Sequence, residues 1–482
     1  MKKVYIIALL ALLLPVSLKA QIDDGFGAVS DFQRFRDSIF NDFEDFRRKA
    51  NEEYANFMRR PWVKEPTQPP VAPPEFPKPQ TPPVVDPKTR PTSDPIPFDG
   101  KLRQPKLIDR PEPVVPIKLT PRPQDPVIPF LFFGTPMQFH FDKSKTLHLN
   151  DVSENSVANL WEQLSESYYD NLIAECLQYR EKHNLCDWAY VLLTKKVAET
   201  CCGESSNESV VVHMYLLTQS GFNVRIARAN RERLTVLLGS TEIIYGYKYF
   251  NLEGMMYYIL DRSLNDAYFT IFKHAFPKEK PLSLSITQPK LSIAPTRERT
   301  LSSVRFKLKA TVGTNQNLID FYNTYPLSSE WHLYSKASLS QTIKEDLYPV
   351  LQSAIKNKSE FIAADMLIDF VQTGFDYKTD NDQFGYERPL FPDESFYYPY
   401  CDCEDRSILF ACLVRELMGL DVVLLHYPKH LATAVRFKEE VNGDYLMIDG
   451  VKYVICDPTY IGARIGMCMP EFKQVSPIVQ KF

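Results

Sequence analysis

The spacing of hydrophobic residues near the start of the chain predicts a long amphipathic helix. After the first 20 residues, apolar side chains recur every three or four positions among Arg, Glu and Asp, which is the period of a helix with one apolar face. These positions are Phe32, Phe35, Ile39, Phe43, Phe46, Ala50 and Phe57. We therefore predict a helical segment over residues 21–60, which either docks on the protein's own surface or binds a partner in the cell envelope.

A proline-rich stretch follows this helix. It runs from Pro61 to Pro129 and holds 22 of the 37 prolines in the chain. A residue that precedes proline is biased away from the helical region, and successive prolines favour the extended polyproline II conformation. Residues 61–130 are therefore predicted to form an extended linker that is not a packed domain and contains no catalytic residue.

The remaining residues show an internal similarity that predicts two copies of one unit. Ser209–Gly221 aligns with Ser407–Gly419 as an apolar helix that ends at glycine, and Gly254–Asp261 aligns with Gly450–Asp457 as a turn and a strand that ends in Asp. Helical patterns precede both copies. We predict an α+β fold with tandem units over residues 131–275 and 317–482, joined by connecting strands over residues 276–316.

The second copy contains a candidate nucleophile, Cys403. This residue lies directly before the apolar helix that ends at Gly419. Unsatisfied N–H groups and the positive end of the helix dipole stabilise a thiolate at such a position and lower the thiol pKa. The other cysteines of this copy are interpreted as buried small residues or disulfide partners; they are Cys401, Cys412, Cys456 and Cys468.

Two further residues complete a possible catalytic triad. His430 precedes an alternating strand pattern, and we expect a hairpin at Asn442-Gly443 and a turn at Asp449-Gly450 to return the chain to Asp457. Neighbouring antiparallel strands would set His430 beside Asp457, and a helix packed on the sheet would bring the thiol to the imidazole. The three side chains would then act as nucleophile, base and orienting carboxylate.

At these residues the sequence resembles the transglutaminase-like superfamily, the papain-related group that includes transglutaminases and bacterial cysteine peptidases. The resemblance covers residues 350–465 and rests on four segments, Pro392-Asp393-Glu394-Ser395, Asp402-Cys403-Glu404-Asp405-Arg406-Ser407, His430 and Asp457-Pro458-Thr459. It implies that both copies are transglutaminase-like units with a helix on an antiparallel sheet. It also implies that Cys403 is the nucleophile, His430 the general base and acid, and Asp457 the orienting residue.

The first copy is predicted to lack this chemistry. The alignment sets Ser205 over Cys403, Glu232 over His430 and Asp261 over Asp457. A serine hydroxyl without a neighbouring imidazole has no base to activate it. We therefore expect residues 131–275 to form the same core as a packing partner or substrate-binding platform.

Composition bounds the location and the partners. Residues 1–20 have the basic start, apolar stretch and small final residue of a secretory signal peptide, and no cysteine follows the cleavage point. We expect a soluble periplasmic or secreted chain that begins near Gln21, without a membrane span or lipid anchor. Loss of three lysines with the signal moves the net charge from −4 to −7, which disfavours nucleic acid as a partner.

No cofactor or metal is expected. The chain has no glycine-rich phosphate-binding motif, and Pro428 interrupts the spacing of His426 and His430 that would otherwise resemble zinc ligands. Two functions remain open. The first is an exported cysteine-dependent acyl-transfer enzyme that hydrolyses or transfers peptide or amide groups, and the second is a non-catalytic binding scaffold at the cell envelope.

Overall fold

The structure is a computed structural model, and it describes most of the chain after the predicted signal segment. The described residues are 26–73, 78–105, 108–117, 119, 124–264, 267–328 and 330–482. The predicted signal peptide over residues 1–20 and its cleavage near Gln21 lie outside them.

Twelve α-helices lie in the described part of the chain. They are α1 (Phe26–Met58), α2 (Glu154–Leu164), α3 (Asp170–Lys182), α4 (Asp187–Cys202), α5 (Asn207–Gln219), α6 (Gln316–Asn323), α7 (Trp331–Lys336), α8 (Gln341–Ile355), α9 (Glu360–Gly374), α10 (Asp380–Phe384), α11 (Pro392–Tyr397) and α12 (Cys403–Met418). Short 3-10 helices cover Ser167–Tyr169, Arg262–Leu264 and Pro470–Phe472.

Eighteen strands accompany the helices in the same described ranges. They are β1 (Val63–Lys64), β2 (Leu102–Arg103), β3 (Val127–Phe132), β4 (Thr135–His140), β5 (Val224–Ala229), β6 (Arg233–Ser240), β7 (Tyr249–Leu252), β8 (Met255–Ile259), β9 (Phe269–Phe272), β10 (Arg299–Ser302), β11 (Lys309–Val312), β12 (Asp376–Tyr377), β13 (Tyr400–Cys401), β14 (Asp421–Tyr427), β15 (His430–Arg436), β16 (Tyr445–Ile448), β17 (Val451–Cys456) and β18 (Ile478–Gln480). The chain is thus of the predicted α+β class.

The two largest sheets have corresponding strand orders and differ in the edge strand, which pairs antiparallel for β1 and parallel for β2. The first has the order β1-β9-β5-β6-β8-β7, and the second has the order β2-β18-β14-β15-β17-β16. Apart from the edge strands β1 and β2, the strands of each sheet follow an apolar helix, α5 in the first case and α12 in the second. The last hairpin of each sheet turns through two residues with positive φ, Glu253-Gly254 and Asp449-Gly450, as a tight two-residue β-hairpin requires. The predicted repetition is therefore present as a repeated order of helix and strands.

One predicted hairpin is wrong. Asn442-Gly443 does not join two paired strands, because β15 pairs with β17 and the chain crosses to the outer edge of the sheet before β16. The glycine has a different role there. A Cβ atom at Gly443 would lie 2.3 Å from the Cα of Gly466, so the residue permits a close approach of two backbones.

The two sheets belong to one compact unit. Contacts divide the chain into residues 1–49 and residues 50–482, so the predicted boundary over residues 276–316 separates two sheets but not two compact units. One hydrophobic cluster lies under the first sheet and includes Trp161 and Tyr215, and another lies under the second and includes Phe370 and Phe410. Among the described residues, no helix combines the length and apolar character that crossing a membrane requires.

The predicted amphipathic helix is present as α1, and its end is part of the larger unit. Ala50, Tyr54, Ala55 and Met58 are buried. The Tyr54 ring lies 4.7 Å from that of Trp161. From Ala50 onward the helix therefore docks on the protein's own core, and an envelope partner for residues 21–60 stays a prediction.

In its described residues, the proline-rich segment is docked on the two sheets and is not a free linker. Its strands β1 and β2 pair with β9 and β18 at the edges of the two sheets. Between them, the Ile96 N–H donates to the Tyr445 carbonyl at 2.7 Å, and the Ile96 side chain is only 3% exposed. Residues that are not proline keep their backbone N–H groups, and these complete the sheet edges.

This docking predicts a loss of stability when Ile96 is shortened. Ile96→Ala should lower the free energy of unfolding by about 2–5 kcal/mol, because it removes a buried side chain from a core that includes Leu425 and Leu446. Urea denaturation measures the change. The matched control is Val84→Ala in the same segment, whose side chain is 69% exposed and should change stability by less than about 0.5 kcal/mol. Equal effects of the two substitutions would contradict the docked arrangement.

Candidate functional site

Cys403 is the first residue of α12, as predicted. Asp402 precedes it as the N-cap residue, and the Asp402 backbone N–H donates to Asp405 Oδ2 at 3.2 Å. The Cys403 side chain is buried, with 2% of the residue exposed. At the other end, α12 stops at Gly419 in the left-handed conformation. The sequence pattern therefore located both ends of the helix that carries the thiol.

His430 and Asp457 meet on adjacent antiparallel strands. His430 begins β15, Asp457 follows β17, and Nε2 of the imidazole lies 2.8 Å from Asp457 Oδ2. The other carboxylate oxygen accepts the backbone N–H groups of Thr459 and Tyr460 at 2.9 and 3.1 Å. The Phe472 ring stacks on the imidazole with 5.4 Å between centroids. These contacts fix the orientation of the ring.

The helix that carries the thiol packs on β15, one residue after His430. Ser407, on the first turns of α12, donates to the Leu431 carbonyl at 2.8 Å, and the Leu431 N–H faces the Cys403 sulfur. The sulfur itself donates to Glu404 Oε2 at 3.2 Å. Among the described residues, the hydrogen-bond partner of the thiol is thus Glu404 and not the imidazole of His430.

A lysine from the proline-rich segment lies in the same site, which the sequence did not indicate. Nζ of Lys78 is 3.2 Å from Asp380, 2.8 Å from Glu387 and 2.7 Å from Asp402, and it also contacts Glu404. We call these four carboxylates the acidic pocket. The prediction that residues 61–130 form a free linker thus missed this contact, because a single lysine between two prolines carries no periodic signal.

Burial raises the pKa of the acidic pocket's carboxyl groups. The pKa of Asp402 rises to about 8 through burial and the neighbouring Glu404 charge. The pKa values of Asp380 and Glu404 rise to about 7, again mainly through burial. For Lys78, burial alone would lower the pKa, but the carboxylates of Glu404 and Asp402 outweigh it and raise the pKa. The pocket therefore holds one charged ammonium group and four carboxyl groups, more acids than the single positive charge can neutralise.

The same surroundings reverse the expected ionisation of Cys403. Burial raises the pKa of the thiol well above its usual range, and the charges of Glu404 and Asp402 raise it further. The helix N-terminus predicted a lowered pKa, but it is outweighed by desolvation and by two adjacent acids. In this closed arrangement the sulfur is a neutral thiol.

The acidic pocket, together with the adjacent Cys403 and Asp405, contains the groups that could hold a metal ion. Within the described residues, three sets of ligand atoms lie within 4.8 Å of one another: Asp402 with Cys403 and Glu404, Asp380 with Asp402 and Asp405, and Asp380 with Glu387 and Glu404. The Lys78 ammonium makes ion pairs with four of these carboxylates. It therefore provides the positive charge that such a cluster requires. His426 and His430 belong to none of these sets.

The segment Pro392–Ser395 supports the site from behind. It forms the start of α11, where Glu394 is 1% exposed and pairs with Arg388 at 2.6 Å. Glu394 also accepts the Phe391 backbone N–H at 2.9 Å. Arg388 in turn donates its backbone N–H to Asp380 at 2.9 Å, so this buried pair holds one wall of the acidic pocket.

We call the first copy, residues 131–275, the first unit, and residues 317–482 the second unit. The first unit has different residues at the positions that correspond to Cys403 and His430. Two of the predicted equivalents are wrong. The helix α5 begins at Asn207, so Asn207 and not Ser205 corresponds to Cys403. The strand β6 begins at Arg233, so Arg233 and not Glu232 corresponds to His430. The two helices have 13 and 16 residues, and one alignment offset therefore cannot match both helix starts and strands.

Contacts in the first unit support this correspondence. Arg233 pairs with Asp261 at 3.0 Å, as His430 pairs with Asp457. The Leu234 N–H donates to Asn207 Oδ1 at 2.8 Å, as the Leu431 N–H faces the Cys403 sulfur. Asp261 corresponds to Asp457, as the sequence alignment predicts. An amide and a guanidinium replace the thiol and the imidazole, so this unit has neither a nucleophile nor a base at these positions.

All nine cysteines lie within the described residues and are free thiols. Of the two interpretations of Cys401, Cys412, Cys456 and Cys468, the structure therefore shows buried thiols and not disulfides. Comparison of the chain with protein-family profiles, with curated proteins and with solved structures finds no match.

Proposed function

We propose that the protein is an exported cysteine-dependent acyl-transfer enzyme of the transglutaminase-like type, with Cys403 as nucleophile. The observation that carries the proposal is the His430–Asp457 pair at 2.8 Å, held one residue before the Leu431 N–H that faces the thiol. A buried imidazole that is oriented by a carboxylate beside a helix-terminal thiol is the arrangement that nucleophilic catalysis uses.

The proposed reaction starts from the neutral thiol. His430 takes the proton as the sulfur attacks the carbonyl carbon of a peptide or amide, and the leaving amine then receives that proton from the imidazolium. Water or an amine attacks the resulting thioester and restores the thiol. Asp457 stabilises the imidazolium during both steps. The Cys403 sulfur must first leave Glu404, so the reaction requires a rearrangement of the closed site.

An acylation experiment tests this proposal. The protein is incubated with p-nitrophenyl acetate, quenched in acid, digested and mapped by mass spectrometry. We expect one acetyl group per chain on the peptide that contains Cys403, and we expect His430→Ala to lower its rate of formation by roughly 10²-fold or more. Acetylation spread over several cysteines, or independent of His430, would contradict an enzyme with this nucleophile.

The second candidate function is a non-catalytic scaffold built on two related units. The observation that favours it is the first unit, where the Arg233–Asp261 pair at 3.0 Å takes the place of a histidine–carboxylate pair. A cavity of about 470 Å³ adjoins this pair and is lined by residues that include Trp188, His213 and Tyr247. A folded chain whose Cys403 is never acylated would support the scaffold function.

Location and partners follow from the same proposal. A signal peptide would deliver the enzyme to the periplasm or the medium, and its substrate would be a protein or peptide. An envelope partner for residues 21–60 is proposed from the amphipathic pattern of the sequence. Fractionation of the producing cells, followed by N-terminal sequencing of the exported chain, tests the location.

A further inference from the structure

We propose that the acidic pocket is a binding site for a primary ammonium group, and that Lys78 fills it as an intramolecular plug over Cys403. This inference rests on the proposed function, because it concerns access to the same thiol. It assigns the proline-rich segment a regulatory role and gives the chemical class of ligand that would replace the plug.

The burial of Lys78 differs between its backbone and its side chain. The residue as a whole is partly exposed, whereas its side chain is only 2% exposed. The chain therefore runs over the surface at this point and sends one side chain inward. The neighbouring Pro79 is exposed, so the lysine is the group that enters the site.

The acidic pocket suits an ammonium group because it has more hydrogen-bond acceptors than one ammonium group has donors. An ammonium has three N–H donors, whereas four carboxylates surround Nζ of Lys78. One further oxygen, Asp402 Oδ1, is buried without a hydrogen-bond partner among the described residues. A compact cation with several donors matches this set, and a neutral side chain would leave several buried carboxylates without a countercharge.

The plug is coupled to the thiol through a single carboxylate. Glu404 accepts from Cys403 through Oε2 and from Lys78 through Oε1. The ammonium and the sulfur are therefore neighbours across one side chain. The positive charge of Lys78 also opposes the rise in the pKa of the thiol, so a ligand ammonium in the same place would preserve this effect after the plug has left.

Apart from the ion pairs of Lys78, the described residues 78–85 are held by hydrogen bonds and by the Val85 side chain, which packs against a cluster that includes Tyr460. Pro79 accepts a hydrogen bond from the Tyr377 hydroxyl at 2.9 Å, and Pro83 and Val85 exchange backbone hydrogen bonds with Ile461 at 2.8 and 2.9 Å. Beyond it, Ile96 and β2 anchor the chain to the sheet. Replacement of the plug requires residues 78–85 to break these contacts while Ile96 and β2 keep the rest of the segment bound.

The first measurement is the alkylation rate of Cys403 in the full chain. Iodoacetamide is applied at pH 9, where ionisation of an exposed thiol is not limiting, and labelling of the Cys403 peptide is followed by mass spectrometry. We expect Lys78→Ala to label at least roughly tenfold faster than the wild type, because exposure of the thiol removes burial, the largest cause of its raised pKa, and this outweighs the lost charge of Lys78. Lys88→Ala is the matched control, since Lys88 is an exposed lysine of the same segment, and it should label at the wild-type rate.

The second measurement tests the ligand class. Butylammonium should raise the melting temperature of Lys78→Ala in a saturable manner and leave the wild type unchanged, whereas tetramethylammonium, which has no N–H donor, should have no effect. If Lys78→Ala does not fold alone, butylammonium should restore its folding. Labelling at the wild-type rate in a folded Lys78→Ala, or the absence of any butylammonium effect, would overturn the proposal.

These outcomes separate the plug from the enzyme. Fast labelling of Lys78→Ala together with butylammonium binding, but without His430-dependent acylation, would keep the plug and remove the catalytic proposal. His430-dependent acylation with unchanged labelling in Lys78→Ala would keep the enzyme and remove the plug.

Discussion

Cys403→Ala is expected to lose at least roughly 10³-fold of the esterase rate on p-nitrophenyl acetate, while its melting temperature stays within a few degrees of the wild type. Removal of a triad nucleophile leaves only the catalysis that binding and polarisation supply. The structural cost is small, because the substitution removes one sulfur atom and its hydrogen bond to Glu404. Steady-state release of p-nitrophenol and a thermal melt of the same samples provide the two numbers.

Two variants control this result. Cys412→Ala removes a fully buried thiol from the same helix, α12, where it contacts Glu416, and should keep the esterase rate. Arg233→Ala alters the corresponding position of the first unit, and it should also keep the rate. If Cys412→Ala lost as much activity as Cys403→Ala, the loss would reflect damage to the helix and not removal of a nucleophile.

The repeated architecture could be predicted from the sequence because short-range signals specify it. The apolar helix that stops at glycine, the alternating strand of His430 and the Asp449-Gly450 turn are each encoded within a few residues. The same signals also predict that the strands of His430 and Asp457 are adjacent. The Asn442-Gly443 pair misled because a glycine needed for backbone contact looks the same in sequence as one needed for a turn.

The acidic pocket could not be predicted because its parts are far apart in the chain. Lys78 lies more than 300 residues before Asp380, Asp402 and Glu404 in the sequence. Burial then determines the ionisation of each group, and burial follows from the packing of the whole unit. A helix N-terminus favours a thiolate only where water or positive charge remains nearby, and around Cys403 the excess charge is negative.

The excess acid predicts that the protein loses stability as the pH rises from about 6.5 to about 8. In this window the folded state keeps protons on Asp402, Asp380 and Glu404, whose pKa values are raised to about 8, 7 and 7. The unfolded chain has already lost these protons, because its carboxyls have their ordinary pKa near 4. A folded state that binds more protons becomes less stable as the pH increases, by about 1.4 kcal/mol per pH unit for each extra proton.

Two buried histidines act in the opposite direction, most strongly at the low end of this window. Burial lowers the pKa of His213 to about 3 and of His426 to about 4, so near and below their ordinary pKa of about 6.5 the unfolded state binds protons that these imidazoles do not bind in the folded state. Urea denaturation at pH 6.5, 7.0, 7.5 and 8.0 gives the slope. Asp402→Asn removes the carboxyl group with the highest pKa of these three. It should reduce the slope of the unfolding free energy against pH by up to about 1.4 kcal/mol per pH unit. A wild-type stability that rises across this window, or a slope that Asp402→Asn leaves unchanged, would show that the acidic pocket does not hold these protons.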